Sequence, residues 1–199
     1  MDRINTAYAR GEFDLVALSF EYNFGVRPDH WVLVNFEGFR EIIDALGGIN
    51  VEVGQAISDQ RDGYGQYSVD QGNTVMDAET ALWYVRSRGS SSDFDRTRRQ
   101  QEVLQAIFFR SISLDMLKKA PQVYDAYKQM VQTDLSFTDL LPLLSLPGQV
   151  KDGGIQGNII GPNQVSPYVT SSGAFVLLPD RDAVRQVLLE SLSGEEASN

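Results

Sequence analysis

Cysteine is absent from the 199-residue chain. No disulfide framework staples the fold, and no thiolate serves as nucleophile or metal ligand. Histidine occurs once, at His30. One imidazole cannot build a zinc cluster, and a place beside Trp31 at the start of an apolar run fits an incidental role. Basic residues are scarce: 17 Lys and Arg stand against 27 Asp and Glu, a formal net charge of −10. A non-specific nucleic-acid face needs a broad basic surface, so this balance argues against one. No apolar run reaches the roughly 20 residues of a membrane-spanning helix, and Met1 to Asn5 has no signal-peptide character. There is no P-loop, no dinucleotide fingerprint and no nucleophile elbow. Internal repeats and low-complexity tracts are also missing.

What remains is a globular composition, 42% hydrophobic and 22% charged, in a chain long enough to bury a real core in one domain. The feature that stands out is a cluster of arginines. Arg86, Arg88, Arg96, Arg98 and Arg99 fall within fourteen residues, with no lysine among them. Arginine presents a planar fork that matches phosphate and carboxylate oxygens. A local basic cluster in an acidic chain points to a focused anion site. If Asp93 starts a helix, its carboxylate caps the exposed N–H groups. Arg96, Arg99 and Gln100 then lie three, six and seven positions on, sharing roughly one face, while Arg98 points elsewhere. Arg86 and Arg88 share one face of an extended segment. A helix start flanked by arginines suits a phosphate or diphosphate. The competing reading is a solvated face on which these arginines pair with surplus carboxylates.

The rest of the chain reads as alternating strands and helices. Asp14 caps a helix over Leu15 to Tyr22, preceded by a turn at Gly11-Glu12. A strand is expected in His30 to Asn35, a helix over Phe39 to Leu46 with Phe39, Ile42, Ile43 and Leu46 on one stripe, and a strand over Ile49 to Val53. This strand-helix-strand unit implies a parallel or mixed sheet. Gln55 to Asn73 reads as an excursion or a short hairpin near Tyr67 to Val69. Asp77 caps a short helix to Val85, with Trp83 and Tyr84 as packing residues. A long helix runs from Asp93 to Arg110 or Ser113, another pattern covers Leu114 to Met130, and Thr133 to Leu141 reads as a cap and a short helix. Gly153 to Gly161 reads as a turn region. A strand over Ala174 to Leu178 and a helix over Arg181 to Leu192 close the domain.

Four stretches carry a resemblance. Arg3 to Ala9, RINTAYA, is similar to a basic-Ile-Asn-x-Ala-Tyr segment. Val32 to Val53, VLVNFEGFREIIDALGGINVEV, matches almost throughout. Ala78 to Arg88, AETALWYVRSR, is similar to E-x-A-L-x-Y-x-R-x-R. Asp93, Arg96, Arg99, Gln100 and Gln101 resemble a D-x-x-R-x-x-R-Q-Q signature. In order and spacing these resemble the LytR-CpsA-Psr family, also called the cell envelope-related transcriptional attenuator domain. The resemblance implies an α/β/α sandwich with a mixed central sheet. It implies a Mg2+-assisted phosphotransferase that moves a wall glycopolymer, such as a teichoic acid, from an undecaprenyl-diphosphate carrier to peptidoglycan. Arg86, Arg88, Asp93 and Arg96 take the catalytic positions, with Asp93 ordering Arg96 or serving as a secondary metal candidate. Arg3, Arg99 and Gln100 take substrate-binding positions. Leu104, Ile107, Phe108, Leu117 and Tyr124 are lining candidates for the prenyl chain, each equally readable as core.

The family's strands before the Ile-Asn segment carry Ser-Asp-Thr and Pro-Arg-Asp stretches, and neither is seen here. The expectation is a single domain over 1–193, incomplete at its N-terminus, with a frayed tail over 194–199. Exposed sheet edges in such a fragment would favour a homodimer. The family works at the extracytoplasmic face of the bacterial membrane, normally through a membrane anchor, and no anchor or signal is seen in this chain. Two other readings stay open. One is a fragment that binds polyprenyl diphosphate without turnover. The other is a regulatory, attenuator-type envelope protein. No nucleic-acid partner is expected.

Overall fold

The computed structural model describes residues 6–88, 92–113, 131–140, 158–171 and 173–193. Arg3 and the Leu114 to Met130 pattern, with Leu117 and Tyr124, lie outside the described residues, as does most of the turn region before Gly161. The chain divides into two compact units, Met1–Trp31 with Gly157–Asn199, and Val32–Gln156.

The second unit holds the arginine cluster. It opens with β1 (Val32–Val34) and α2 (Phe36–Ala45), followed by β2 (Ile49–Val53), β3 (Ile57–Arg61), β4 (Gly65–Val69) and β5 (Gly72–Met76). Then come α3 (Ala78–Arg86), α4 (Asp93–Ser111), β6 (Val131–Thr133) and α5 (Phe137–Leu140). Asn35 starts α2 by accepting a hydrogen bond from the Gly38 N–H at 2.7 Å, which satisfies one of the orphan donors of a helix start. The expected stripe delivers Ile43 and Leu46 to the core. Gly47 and Gly48 then reverse the chain with positive φ values of 71° and 89°, a conformation that side chains with a Cβ resist.

Strand β2 alternates as read from the sequence: Ile49, Val51 and Val53 are buried, Asn50 and Glu52 exposed. Each buried aliphatic contributes about 1.5–3 kcal/mol relative to exposure. Val103 and Ala106 of α4, Ala81 and Tyr84 of α3, and Met76 of β5 complete that core. Helix α4 packs on β2, and α3 packs on α2, α4 and β5. Arg110 near the end of α4 donates from Nε to the Leu46 carbonyl at 2.8 Å, tying the two helix ends together.

The α/β class is as expected, and the strand pairs seen among the described residues of this unit are antiparallel. β1 pairs with β6, β2 with β5 and β3 with β4. The sheets among the described residues are two-stranded. β2 finds its partner across the β3–β4 hairpin, only 19 residues on (Val53 faces Gly72). Such a local closure costs less chain entropy than a distant one.

The first unit comprises α1 (Ala7–Phe24), the hairpin β7 (Val165–Val169) with β8 (Phe175–Pro179), and α6 (Arg181–Ser193). The predicted Gly11-Glu12 turn is a kink inside α1, with Glu12 at φ 50°. Gly25 closes that helix in the left-handed region, its N–H returning to the Glu21 carbonyl at 2.9 Å. Ala17 and Val184 are fully buried, and α1 packs on α6. No helix among the described residues is long and apolar enough to cross a membrane.

Candidate functional site

The arginines sit where the end of α3 meets the start of α4. Asp77 caps α3 by accepting the Thr80 N–H at 2.7 Å. Hydrogen bonds from Thr80 hold the Asp77 carboxyl below its ordinary pKa. Tyr84 is fully buried in the core, and Trp83 is half-buried, its indole donating to the Gln60 carbonyl at 2.9 Å. At its C-terminus α3 gives way to extended backbone at Ser87 (φ −56°, ψ 137°). A helix C-terminus carries partial negative charge, so basic residues there are favourably placed.

Helix α4 begins at Asp93, as the sequence reading had it, but with a different cap. Its cap is Ser92, which shares a capping box with Asp95: the Asp95 N–H donates to Ser92 Oγ at 3.2 Å and the Ser92 N–H to Asp95 Oδ2 at 2.9 Å. Asp93 is therefore the first helical residue and not the cap. Hydrogen bonds from Ser92 lower the Asp95 pKa.

The five arginines have five different situations. Arg86 lies with its guanidinium carbon 4.2 Å from the centre of the Phe36 ring, a cation–π contact that holds the side chain without neutralising it. Arg88 is exposed. Its backbone N–H is bonded to Asp59 Oδ2 at 3.1 Å. Arg96 stands 2.8 Å from Asp93 Oδ1 through Nη1. That nitrogen is buried without a formed hydrogen bond, so the contact is ionic in character. Arg98 pairs with Glu102, which also accepts the Gly54 N–H at 3.1 Å and the Tyr84 hydroxyl at 2.5 Å. Burial and the Glu102 carboxylate push the Tyr84 pKa upward.

Arg99 is placed inside the protein, 1% exposed. Its Nε donates to the Tyr84 carbonyl at 2.9 Å and its Nη2 to the Ser87 carbonyl at 2.6 Å. Burial lowers its pKa, yet a guanidinium stays charged at neutral pH. In this position it docks α4 on the end of α3. Arg86 and Arg88 flank the residue so gripped, and Arg96 stands one turn earlier on α4. Gln100 is exposed. Of the lining candidates that are described, Leu104 is 64% exposed, Ile107 packs against the core, and the Phe108 ring meets Phe109 edge-on at 5.8 Å.

Two neighbours went unread in the sequence. Asp59 on β3 meets the Ser87–Arg88 segment. Arg61 is buried between the rings of Tyr64 and Tyr67, 4.4 and 4.5 Å from their centres. The available signal was alternation: Ile57, Arg61 and Val69 are the buried members of the hairpin. For Mg2+ the fit is poor. No group of three His, Cys, Asp or Glu side chains among the described residues could hold a metal, and Asp93 is engaged with Arg96.

Comparison with known proteins supplies the rest. A model of the LytR_cpsA_psr family matches residues 1–187. A polyisoprenyl-teichoic acid–peptidoglycan teichoic acid transferase, TagU of Oceanobacillus iheyensis, is 36% identical over 153 residues, which is 73% of this chain and 46% of that protein. The crystal structure of Bacillus subtilis TagU superposes with a TM-score of 0.71 at 26% identity, covering 100% of this chain and 79% of that one. A structure of TagT bound to LI-WTA gives a TM-score of 0.72 at 25% identity, covering 96% and 70%. The chain spans about half the length of the curated relatives it matches.

Proposed function

The chain belongs to the LytR_cpsA_psr family, and on that premise we propose that it serves transfer of a cell-wall glycopolymer from a polyprenyl-diphosphate carrier to peptidoglycan. The observation that carries this reading is the set of arginines around the α3–α4 junction, where Arg86 is stacked on Phe36 and Arg88 is exposed. A diphosphate is the natural ligand for two such cations on either side of one fixed residue. The relatives support the substrate class: the TagU protein is described as acting between polyisoprenyl-teichoic acid and peptidoglycan.

The chemistry follows from the product. An acceptor hydroxyl of peptidoglycan attacks the phosphorus nearer the glycan. The bond from that phosphorus to the bridging oxygen breaks, leaving a phosphodiester on peptidoglycan and a polyprenyl monophosphate. Negative charge grows on the bridging and non-bridging oxygens, and Arg86, Arg88 and Arg96 stabilise it there. Asp93 holds Arg96 until the substrate replaces it. Gln100 and Arg3 are proposed to contact the substrate near the same site. The described residues do not form a Mg2+ site, and no step is routed through the ion. The reaction places the protein at the extracytoplasmic face of the membrane, where carrier and peptidoglycan meet.

The test is binding of a polyprenyl diphosphate to the purified chain, with and without Mg2+, comparing wild type with Arg96→Ala and Arg88→Ala. Binding that both variants weaken supports the reading, and binding indifferent to both overturns it. The lack of a three-ligand metal group among the described residues favours a second reading: lipid-diphosphate binding without turnover, recognised by retained affinity and no transfer to peptidoglycan with Mg2+ present. Self-association is also proposed. Tyr168, Val169, Phe175 and Leu177 of the β7–β8 hairpin are exposed apolar residues that a second copy would cover. Sedimentation of a clean monomer at high concentration removes that proposal.

A further inference from the structure

Three consecutive residues of β3 reach three successive levels of α3. Arg61 Nη1 donates to Thr80 Oγ1 at 3.2 Å. The Gln60 carbonyl accepts from Trp83 Nε1 at 2.9 Å. Asp59 Oδ2 accepts from the Ser87 hydroxyl. Thr80, Trp83 and Ser87 are spaced by three and four, so they lie along one face of the helix and its exit. Strand β3 thus runs beside α3 as a splint. It is stiffened by its pairing with β4 and by the Tyr67–Trp83 edge contact, with centroids 5.0 Å apart.

The splint ends on the segment between the two outer arginines. Ser87 is 7% exposed and is gripped at each polar atom. Its N–H donates to the Trp83 carbonyl at 2.9 Å, its carbonyl accepts from Arg99 at 2.6 Å, and its hydroxyl goes to Asp59. The next N–H, of Arg88, takes the same Asp59 oxygen at 3.1 Å. That oxygen is thus turned to a hydroxyl and a backbone N–H, both of which fix main chain. Arg86 meanwhile rests on an aromatic face, a contact that uses none of its N–H groups.

We propose that Asp59 is a positioning residue: by clamping Ser87 and the Arg88 N–H it fixes the Arg86–Arg88 pair as a preformed cradle for a diphosphate. The inference rests on the proposed diphosphate-binding function and adds a residue on an element that carries none of the arginines of the site. Preorganisation of this kind raises affinity by removing the cost of ordering the segment on binding.

The experiment is calorimetric titration of the full chain with farnesyl diphosphate, a soluble short polyprenyl diphosphate. The variants are Asp59→Asn, Ser87→Ala, Arg86→Ala, Arg88→Ala and the double variant Asp59→Asn/Arg88→Ala. Asp59→Asn weakens binding about tenfold and Ser87→Ala about threefold, while thermal midpoints stay close to wild type. In the Arg88→Ala background the Asp59→Asn effect shrinks, because one of the two arginines that Asp59 positions is gone. A merely structural role gives the opposite pattern, with the Asp59 effect undiminished in the Arg88→Ala background and tracking the loss of stability. That result, or wild-type affinity in Asp59→Asn while Arg88→Ala binds weakly, overturns the proposal and leaves the diphosphate reading standing. Wild-type affinity in both arginine variants removes the diphosphate reading and this inference with it. Should Asp59→Asn fail to fold, Ser87→Ala carries the same cycle.

Discussion

Replacing Arg99 by methionine tests the account of the α3–α4 junction at its centre. The side chain is 1% exposed and serves the Tyr84 and Ser87 carbonyls through Nε and Nη2. Methionine keeps most of the aliphatic stem and removes the donors. Two buried carbonyls then lose a partner at about 1–3 kcal/mol each, or roughly 2–5 kcal/mol together after relaxation. At about 2–4 °C per kcal/mol for a chain of this size, the melting point falls by roughly 5–15 °C. The assay is Trp83 fluorescence in a Trp31→Phe background, because Trp83 sits on α3 and bonds to the Gln60 carbonyl. Arg99→Lys offers a point donor to one carbonyl and not a fork to two, so it falls between wild type and methionine. A methionine variant that melts within about 1 °C of wild type and loses ligand affinity instead would refute the buried placement. Arg99 would then be a substrate contact, as the helix face in the sequence implied.

Asp93→Asn removes the partner of Arg96 and tightens farnesyl diphosphate binding without Mg2+ by about two- to fivefold, the scale of an exposed ion pair; weaker binding in that calorimetric titration would place Asp93 in the substrate or metal contact instead. Asp77 and Asp95 have folded pKa values below their ordinary ones. Their contribution to stability is therefore complete above the unfolded carboxylate value of about 4, and it is lost as pH falls through the lower folded values. Acid titration of Asp77→Asn and Asp95→Asn, each followed by circular dichroism, should show a flatter acid limb than wild type. Tyr84 has the opposite sign, its pKa raised by burial and by Glu102. Its contribution is complete below the unfolded tyrosine value of about 10 and declines as pH climbs from there through the folded value, so Tyr84→Phe should lose part of the alkaline sensitivity seen in urea melts.

The sequence was most legible where one local pattern decides. Alternation over Ile49 to Val53 and the Asp77 cap read out directly, because each depends on neighbours within a turn or a strand. Caps with several equivalent candidates did not: Gly89 to Ser92 offers three serines, and Asp95 selects Ser92 only by closing a capping box. Strand β7 was missed because Pro167 sits inside it, and proline is expected only where a strand edge is unpaired. Partners were not legible because periodicity identifies elements and not pairing; among the described residues β2 pairs with β5 and β1 with β6. Within the site the cluster itself was plain, but its internal division was not. Arg99 precedes Val103 and Ala106 by four and seven positions, the spacing of the buried stripe of α4. The same spacing that suggested a shared arginine face also places that arginine in line with the core.

That division bears on why an acidic chain would gather five arginines around the proposed anion site. Charges that meet carboxylates are neutralised, and Arg98 on Glu102 is of this kind. A cation buried on carbonyls, as Arg99 is, spends its donors on the fold. Arg96 is held by a carboxylate that is itself largely exposed, so a stronger anion can displace it at little cost. Arg86 is held by a ring and keeps its full charge. The order of availability, Arg86 and Arg88, then Arg96, then Arg98 and Arg99, is set by what each arginine meets and not by its position in the cluster. A diphosphate that engages the first three leaves the two structural arginines untouched. Loss of Arg86 or Arg88 therefore affects ligand affinity far more than stability, and loss of Arg99 the reverse.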